Sequence, residues 1–100
     1  MILEHALLTV KQNQSQEFEA AFAKAQNIVS SMKGYVSHEL LRCLETPNQY
    51  LLLVKWESLE DHTIGFRKSS EYQEWRALLH GFYEPFPEVL HFDLPQNNID

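Results

Sequence analysis

The spacing of hydrophobic residues changes several times along the chain, and each change marks the boundary of a predicted element. Residues 2–10, ILEHALLTV, are aliphatic or β-branched with two polar interruptions at Glu4 and His5, which is typical of a central β-strand. Between Gln14 and Met32 apolar residues recur at intervals of three and four, which predicts a helix with one buried face. The chain therefore opens with a strand followed by a helix.

Turn signals separate this helix from the next two strands. Asn13 or Ser15 is expected to cap the free N–H groups at the helix start, and Gly34 to end the helix in the left-handed conformation. Residues 35–45 return to an extended pattern, and the residues TPNQ at 46–49 predict a turn because proline fixes its own φ angle. The second strand is therefore expected to return directly into a third strand as a hairpin.

The third strand, predicted at residues 50–56, reads YLLLVKW and is almost continuously apolar. Strands with this pattern are covered on both faces. A chain of 100 residues offers one layer of helices but not a second layer. We therefore expect a second copy of the same sheet to cover the other face, which makes the protein a homodimer.

Two helical segments and a last strand are predicted in the second half of the chain. Ser58 is followed three residues later by an acidic residue, which resembles a capping box and starts a helix directly after the third strand. Gly65 and the pair Ser69-Ser70 interrupt this helix, and a further helical segment ends near Gly81. The last strand is predicted at residues 89–94.

The element order β-α-β-β-α-β predicts the fold class. Right-handed crossovers place both helical segments on one face of a four-stranded antiparallel sheet, which is the ferredoxin-like split βαβ arrangement of α+β proteins. We expect residues 1–100 to form a single domain, since a chain of this length buries one core. The polar tail PQNNID is expected to be frayed.

Composition narrows the classes of partner. The formal net charge is −6 and the 8 Lys and Arg residues are dispersed, so nucleic acid is not an expected partner. The longest apolar run is too short to span a bilayer, and no membrane association is expected. A single cysteine, Cys43, cannot form an internal disulfide, and a location in the cytoplasm is expected.

Motifs for nucleotides and metals are missing from the sequence. The three glycines are scattered and form no phosphate-binding loop. The histidines lie on different predicted elements without close pairing, so only the fold could assemble a metal site from them, and no metal is expected. These histidines are His5, His38, His62, His80 and His91.

The stretch WESLEDHTIGFR and the helix after it hold the densest group of chemically active side chains. His62 and Phe66 lie one helical turn apart, directly after a strand that ends at Trp56. Tyr72 and Trp75 follow on the next helical segment. The spacing favours an aromatic pocket with His62 as a base or hydrogen-bonding group, although ordinary core packing accounts for the same residues.

Three further histidines are weaker candidates for this pocket. His5 lies in the middle of an apolar strand, where a polar ring must find a hydrogen-bond partner or face a cavity, and it is a second candidate catalytic residue. His38 and His91 are candidate substrate-binding groups, with partial solvation of their strands as the simpler account. Arg67 and Arg76 are expected to be solvated, and either one could hold an anionic substrate group if no carboxylate pairs with it.

The quoted residues resemble a known family. WESLEDHTIGFRKSSEYQEWRALL, the later PFPEVLHF and the opening ILEHALLTV are similar to the antibiotic biosynthesis monooxygenase family, over nearly the whole chain. The resemblance implies a dimeric α/β barrel, in which two four-stranded sheets pack face to face. Some members oxidise polycyclic aromatic phenols with dioxygen and without metal or flavin, because the deprotonated substrate itself reduces oxygen.

The resemblance therefore implies a cofactor-independent monooxygenase that acts on a small aromatic or quinone-like compound. His62 would serve as the base, and the aromatic residues Trp56, Phe66, Tyr72 and Trp75 would line the slot. Two alternatives stay open. The first is a non-catalytic dimeric module that binds a small hydrophobic metabolite. The second is a haem-binding or haem-degrading protein, from whose pattern the chain departs because strand one offers His5 and no asparagine.

Overall fold

A computed structural model describes residues 1–95 of the chain. A π-helical segment precedes the second α-helix, and a 3-10 turn follows it. The elements are β1 (Ile2–Thr9), α1 (Ser15–Val29), β2 (Tyr35–Arg42), β3 (Gln49–Trp56), the π-helical segment Asp61–Phe66, α2 (Ser70–Leu79), the 3-10 turn His80–Phe82 and β4 (Val89–Asp93). The predicted order β-α-β-β-α-β is confirmed.

The four strands form one sheet in the order β2-β3-β1-β4, and every neighbouring pair is antiparallel. In the central pair, β1 runs against β3 from Ile2 opposite Trp56 to Thr9 opposite Gln49. Both helices cover one face of this sheet, since their buried side chains join those of the strands in one core. The predicted ferredoxin-like α+β fold is confirmed.

The core lies between the helices and the covered face of the sheet. Strand β3 sends Tyr50, Leu52, Val54 and Trp56 into it, each at most 3% exposed. The amphipathic helix α1 buries Phe18, Phe22, Ala25 and Val29 against them at the predicted three-four spacing. Full burial of a side chain of this kind stabilises the fold by about 1.5–3 kcal/mol.

The opposite face of the sheet carries apolar side chains, and no helix or strand within residues 1–95 covers it. The exposed hydrophobic residues here come from three strands, and they are 41% to 48% exposed: Leu7, Val36, Leu41, Leu90 and Phe92. Leu51 and Leu53 of β3 are half-buried on this face. The near-continuous apolar pattern of β3 is thus explained by a core on one side and this open apolar face on the other.

Several predicted boundaries were wrong by a few residues. Helix α1 starts at Ser15 and ends at Val29, with Gln14 in the capping position and no side-chain hydrogen bond there. Asn13 does not cap the helix but takes the left-handed conformation with φ 63°. Strand β2 ends at Arg42, where the turn into β3 begins.

The remaining expectations concern Gly34, the cap at Ser58, the C-terminal tail and membrane-spanning helices. Gly34 takes the predicted left-handed conformation, with a φ of 85°, but it does not end the helix, because α1 stops at Val29 with Ser30 as its C-cap. The Oγ of Ser58 accepts a hydrogen bond from the Asp61 N–H at 3.2 Å, which is the predicted cap. Residues 96–100 of the tail expected to be frayed lie outside the described residues. Within residues 1–95, no helix has the length and apolar content needed to cross a membrane.

Candidate functional site

A cavity of about 350 Å³ lies between the covered face of the sheet and the segment that runs from the π-helix to β4. The floor is apolar and comes from β1 and β3, while aromatic and polar side chains from the second half of the chain form the walls. The lining residues are Ala6, Leu8, Leu52, His62, Phe66, Arg67, Tyr72, Trp75, His80, Tyr83, Phe86, Pro87 and Val89. An apolar cavity with a few converging polar groups is the usual form of a small-molecule site.

The π-helical segment brings two of these residues to the cavity. The N–H of Arg67 donates to the carbonyl of His62 at 3.0 Å, which is the five-residue spacing of a π-helix. His62 and Phe66, four residues apart, are both buried on the side that faces the sheet. Segments of this kind often occur at functional sites because they reposition side chains relative to an α-helix.

His62 is 2% exposed and is held on three sides. Its ring stacks on the indole of Trp56, with ring centroids 5.4 Å apart and an interplanar angle of 21°. Its Nδ1 shares a hydrogen bond with Nε2 of His91 at 2.8 Å, and its Nε2 lies 3.3 Å from Oε1 of Glu4. Both ring nitrogens therefore already contact a protein group.

Glu4 is the second buried ionisable residue of the core, at 7% exposure. Its Oε1 accepts a hydrogen bond from Nε1 of Trp56 at 3.0 Å. In the pairing of β1 with β4, Glu4 lies opposite His91. The two strands therefore place a carboxyl and an imidazole beside His62. We refer to Glu4, His62 and His91 as the proton cluster.

Burial sets the protonation of this cluster. Desolvation raises the pKa of Glu4 to about 7, although the Trp56 hydrogen bond and the Arg67 charge act in the opposite direction. Desolvation, followed by the nearby charge of Arg67, lowers the pKa of His62 to about 3. Between about pH 3 and about pH 7 the contact between them is therefore mainly one between a neutral carboxyl and a neutral imidazole, not an ion pair.

The cavity contains a second imidazole, His80, which directly follows α2. Its ring packs against Phe86, with centroids 4.9 Å apart, and contacts Tyr72 and Tyr83. Burial and the charge of Arg76 lower the pKa of His80, so it is neutral at pH 7. No side chain among residues 1–95 forms a hydrogen bond with it, and its ring nitrogens stay available to a ligand.

The structure brings together six of the eight residues predicted for the site. His62, Phe66, Tyr72 and Trp75 line the cavity. Trp56, which is fully buried, and His91 stand behind them in contact with His62.

The other two lie elsewhere. His5 points to the open face of the sheet, where its ring packs against Phe92, because the strand alternation places it opposite to Glu4 and Ala6. His38 lies under α1, where its Nε2 contacts Oε1 of Gln26 at 3.1 Å and its Nδ1 contacts the hydroxyl of Tyr35. Neither residue reaches the cavity described above.

Sequence reasoning missed several residues of the site. Glu4 was treated with His5 as a polar interruption of β1, although its position in phase with Ala6 and Leu8 indicates the covered face. Tyr83 and Phe86 reach the cavity from an irregular segment. Such a segment has no regular hydrophobic spacing from which the direction of a side chain could be predicted. His80 was not among the predicted site residues, although its place at the end of α2 brings its ring into the cavity wall.

The geometry does not converge on a metal. Among residues 1–95, no group of three or more His, Cys, Asp or Glu side chains is arranged to hold a metal ion. In the proton cluster, His62 directs opposite ring nitrogens at Glu4 and His91, and such an arrangement transmits a proton but does not enclose a cation. The residues that meet at the cavity offer proton transfer, aromatic packing and, through Arg67, a permanent positive charge.

Comparison with known proteins places this architecture in a family. A model of the antibiotic biosynthesis monooxygenase family matches residues 1–78. The protein YczJ of Bacillus subtilis (strain 168) is 61% identical over 92 residues, which are 92% of this chain and 97% of that protein. A crystal structure of a candidate antibiotic biosynthesis monooxygenase from Bordetella bronchiseptica has a TM-score of 0.89 and 33% identity, covering 94% of this chain and 96% of that chain.

One solved structure has a stated activity. SnoaB from Streptomyces nogalater, a cofactor-independent oxygenase, has a TM-score of 0.80 and 22% identity, covering 99% of this chain and 97% of that chain. At this identity the likeness concerns the fold alone. By the match over residues 1–78 and by its fold, the chain belongs to the antibiotic biosynthesis monooxygenase family.

Proposed function

We propose that the protein is a cofactor-independent monooxygenase that acts on a small aromatic or quinone-like compound bound in the cavity. Membership of the monooxygenase family supports the reaction class, and the fold is shared with a cofactor-independent oxygenase. The aromatic walls, Phe66, Tyr72 and Trp75, suit a flat apolar ligand. The volume of about 350 Å³ lies at the lower end of the ~300–1,000 Å³ typical of ligand sites, which favours a compound of one or two rings.

The observation that carries the proposal is a buried imidazole in the cavity wall with a carboxyl group behind it. A base is most effective when its pKa lies near the working pH, and burial gives the Glu4 carboxyl a pKa of about 7. His62 separates Glu4 from the cavity and contacts it through Nε2. We infer that His62 takes the proton of the substrate at Nδ1, where the ligand replaces His91, and passes the proton at Nε2 to the Glu4 carboxylate, whose pKa of about 7 suits a base.

Such a base is sufficient for oxygenation of an acidic aromatic compound with an activated CH₂ group. Removal of a proton gives an electron-rich carbanion, which reduces dioxygen and forms a carbon–oxygen bond, and the peroxide then takes up a proton. Loss of the second hydrogen as a proton breaks the O–O bond and releases hydroxide, which leaves as water. The CH₂ group becomes C=O, and all four electrons taken up by dioxygen come from the substrate.

The cavity walls would support this chemistry by excluding water. Trp56 holds His62 by stacking and orients Glu4 by its hydrogen bond, so the base is fixed before the substrate binds. Burial of the substrate among aromatic rings protects a reactive anion and a peroxide from side reactions. In this proposal His91 orients His62 through its hydrogen bond until the ligand replaces it, while His5 and His38 have no part.

We further propose that two copies of the chain pack through their open sheet faces. Proteins of this family are generally dimeric. The exposed apolar side chains of this face would be buried by the same face of a second copy, which is the self-complementary contact of a two-fold dimer. The single free thiol, Cys43, suits a reducing compartment, and the cytoplasm is the proposed location.

Oxygen consumption by purified, chelator-treated protein tests the function. The protein is mixed with a panel of hydroxynaphthalenes, anthrones and hydroquinones, and dioxygen uptake is compared with that of each compound alone and with heat-unfolded protein. We expect at least one compound to be consumed only with folded protein, in equal amounts with dioxygen. If compounds raise the melting temperature but none is turned over, the protein is a binding module. If activity requires added haem and a haem absorption band forms, the haem alternative is correct.

A further inference from the structure

Arg67 is the single residue with a permanent charge in the cavity lining formed by residues 1–95, and it is also exposed to solvent, which places it at the rim of the cavity. The other lining residues are apolar or aromatic, or are histidines and tyrosines. The chain as a whole has a formal net charge of −6, so the charge at the cavity has the opposite sign to the net charge of the protein. A guanidinium at the rim of an apolar cavity has the geometry and charge to hold an anionic ligand group.

Arg67 is free to bind such a group. Within residues 1–95, no carboxylate lies within ion-pairing distance of its guanidinium, whereas Arg42 does pair with Glu19 at 3.9 Å. Its positive charge reaches the proton cluster. It contributes to the lowered pKa values of His62 and His91, and it partly offsets the rise in the pKa of Glu4 that burial causes. Arg76, the other arginine considered from the sequence, lies outside the cavity lining, beside Gln73 and Ala77.

The polar groups near Arg67 are able to donate hydrogen bonds. Tyr72 and Tyr83 bring hydroxyl groups to the lining, and burial raises the pKa of Tyr83 far above its usual range, so it keeps its proton. The carboxyl of Glu4 stands behind His62 and is largely neutral below pH 7. An anionic oxygen in this cavity would meet one cation and several donors, and no ionised carboxylate of the lining would oppose it.

We propose that the substrate is an aromatic acid, a compound of one or two rings whose carboxylate is bound by the forked guanidinium of Arg67. The rings would lie among Phe66, Trp75 and Phe86, and the reacting carbon would face His62. A guanidinium matches a carboxylate with two parallel hydrogen bonds, which a neutral amide or ester cannot accept equally well. This inference rests on the proposed function, because it assigns a substrate class to the same cavity.

Calorimetric titration tests the inference without requiring turnover. The probes are 2-naphthoate and its neutral analogue 2-naphthamide, which have the same rings and almost the same shape. We expect wild-type protein to bind the carboxylate roughly tenfold or more tightly than the amide. Arg67→Gln should remove this preference by weakening carboxylate binding while leaving amide binding nearly unchanged. The control Lys68→Gln removes a neighbouring exposed charge and should leave both affinities unchanged.

Two results would overturn the inference. One is equal affinity of wild-type protein for the carboxylate and the amide. The other is an equal loss of both affinities in Arg67→Gln, which would mean that this arginine only maintains the shape of the cavity. Because binding is measured without dioxygen, an aromatic acid that binds through Arg67 but is never oxidised refutes the oxygenase function and keeps this inference. If the protein oxidises neutral aromatic compounds but no aromatic acid, the oxygenase function is supported and this inference is refuted.

Discussion

The indole nitrogen of Trp56 donates a hydrogen bond to the buried carboxyl of Glu4 at 3.0 Å. The two residues are 52 positions apart in the sequence, and the antiparallel pairing of β1 with β3 brings them together. The same indole stacks on His62, so one side chain fixes both the carboxyl and the imidazole of the candidate site. The sheet register therefore positions the groups that handle the proton.

Glu4 should make the stability of the protein depend on pH. Burial raises the pKa of this carboxyl from 4.5 to about 7, so its contribution to folding is fully present below pH 4.5 and is lost as the pH rises through 7. In Glu4→Gln the side chain stays neutral and still accepts the Trp56 hydrogen bond. The difference in free energy of unfolding between Glu4→Gln and wild type should therefore be about 3 kcal/mol larger, in favour of the variant, under alkaline than under acidic conditions.

Urea unfolding at about pH 4 and about pH 8, at one protein concentration, measures this difference. Glu74→Gln removes an exposed carboxyl of α2 and is the control for loss of a surface charge. An unchanged difference between wild type and Glu4→Gln at the two pH values would mean that Glu4 is ionised throughout, and the protonation described for the cluster would be wrong.

The two imidazoles of the cavity should contribute unequally to turnover. His62→Gln removes the base, and we expect the rate of oxygen consumption to fall roughly a hundredfold or more. His80→Gln keeps the proton cluster intact and should lower the rate by less than about tenfold. Ligand affinity measured by calorimetry identifies variants that have lost the cavity itself. A larger effect for His80→Gln would transfer the role of base to His80, whose ring packs against Phe86 in the cavity wall.

The connection before β2 should be intolerant of a side chain at position 34. Gly34 has a φ of 85°, and a methyl group added there would collide with the side chain of Asp61, which starts the π-helical segment. Gly34→Ala should therefore lower the free energy of unfolding by about 1–3 kcal/mol and weaken ligand binding, because His62 follows Asp61. Gly81→Ala is the matched control, since nothing lies within 4 Å of its added methyl group. Equal stability of the two variants in thermal unfolding would contradict this account.

The open sheet face should hold the dimer together. Leu7, 48% exposed at the centre of this face, would be buried against the second copy. Leu7→Glu places an unpaired charge there and should weaken dimerisation roughly a hundredfold or more. Leu44→Glu makes the same change at a leucine that is 90% exposed in the β2–β3 connection and should leave the dimer intact. A monomeric wild-type protein in analytical ultracentrifugation, or two variants that behave alike, would refute the proposed interface.

The fold was predictable because each element carries its own local signal. Apolar residues at three-four spacing defined the buried face of α1, and the continuous pattern of β3 reflected a strand between a core and an open apolar face. The boundaries were less predictable, since helix ends depend on backbone conformations such as the left-handed Asn13. The π-helical geometry of Asp61–Phe66 was not predictable, because a π-helix and an α-helix share almost the same hydrophobic spacing.

The site was predictable only where its residues lie on regular elements. His62, Phe66, Tyr72 and Trp75 share one short region, and helical spacing is sufficient to bring them together. Glu4 joins them through long-range pairing of strands, which a local pattern does not report. The irregular segment that carries Tyr83 and Phe86 has no period at all, so its contribution to the cavity required the structure.

Turnover in isotopically labelled dioxygen tests the central claim most directly. Chelator-treated protein is incubated with the best substrate of the oxygen-consumption panel, and the product and water are analysed by mass spectrometry. The proposed mechanism predicts one labelled oxygen atom in each product molecule, the other in water, and loss of this incorporation in His62→Gln. A product without labelled oxygen, or equal incorporation with and without folded protein, would contradict the assignment of this cavity as a cofactor-independent monooxygenase site.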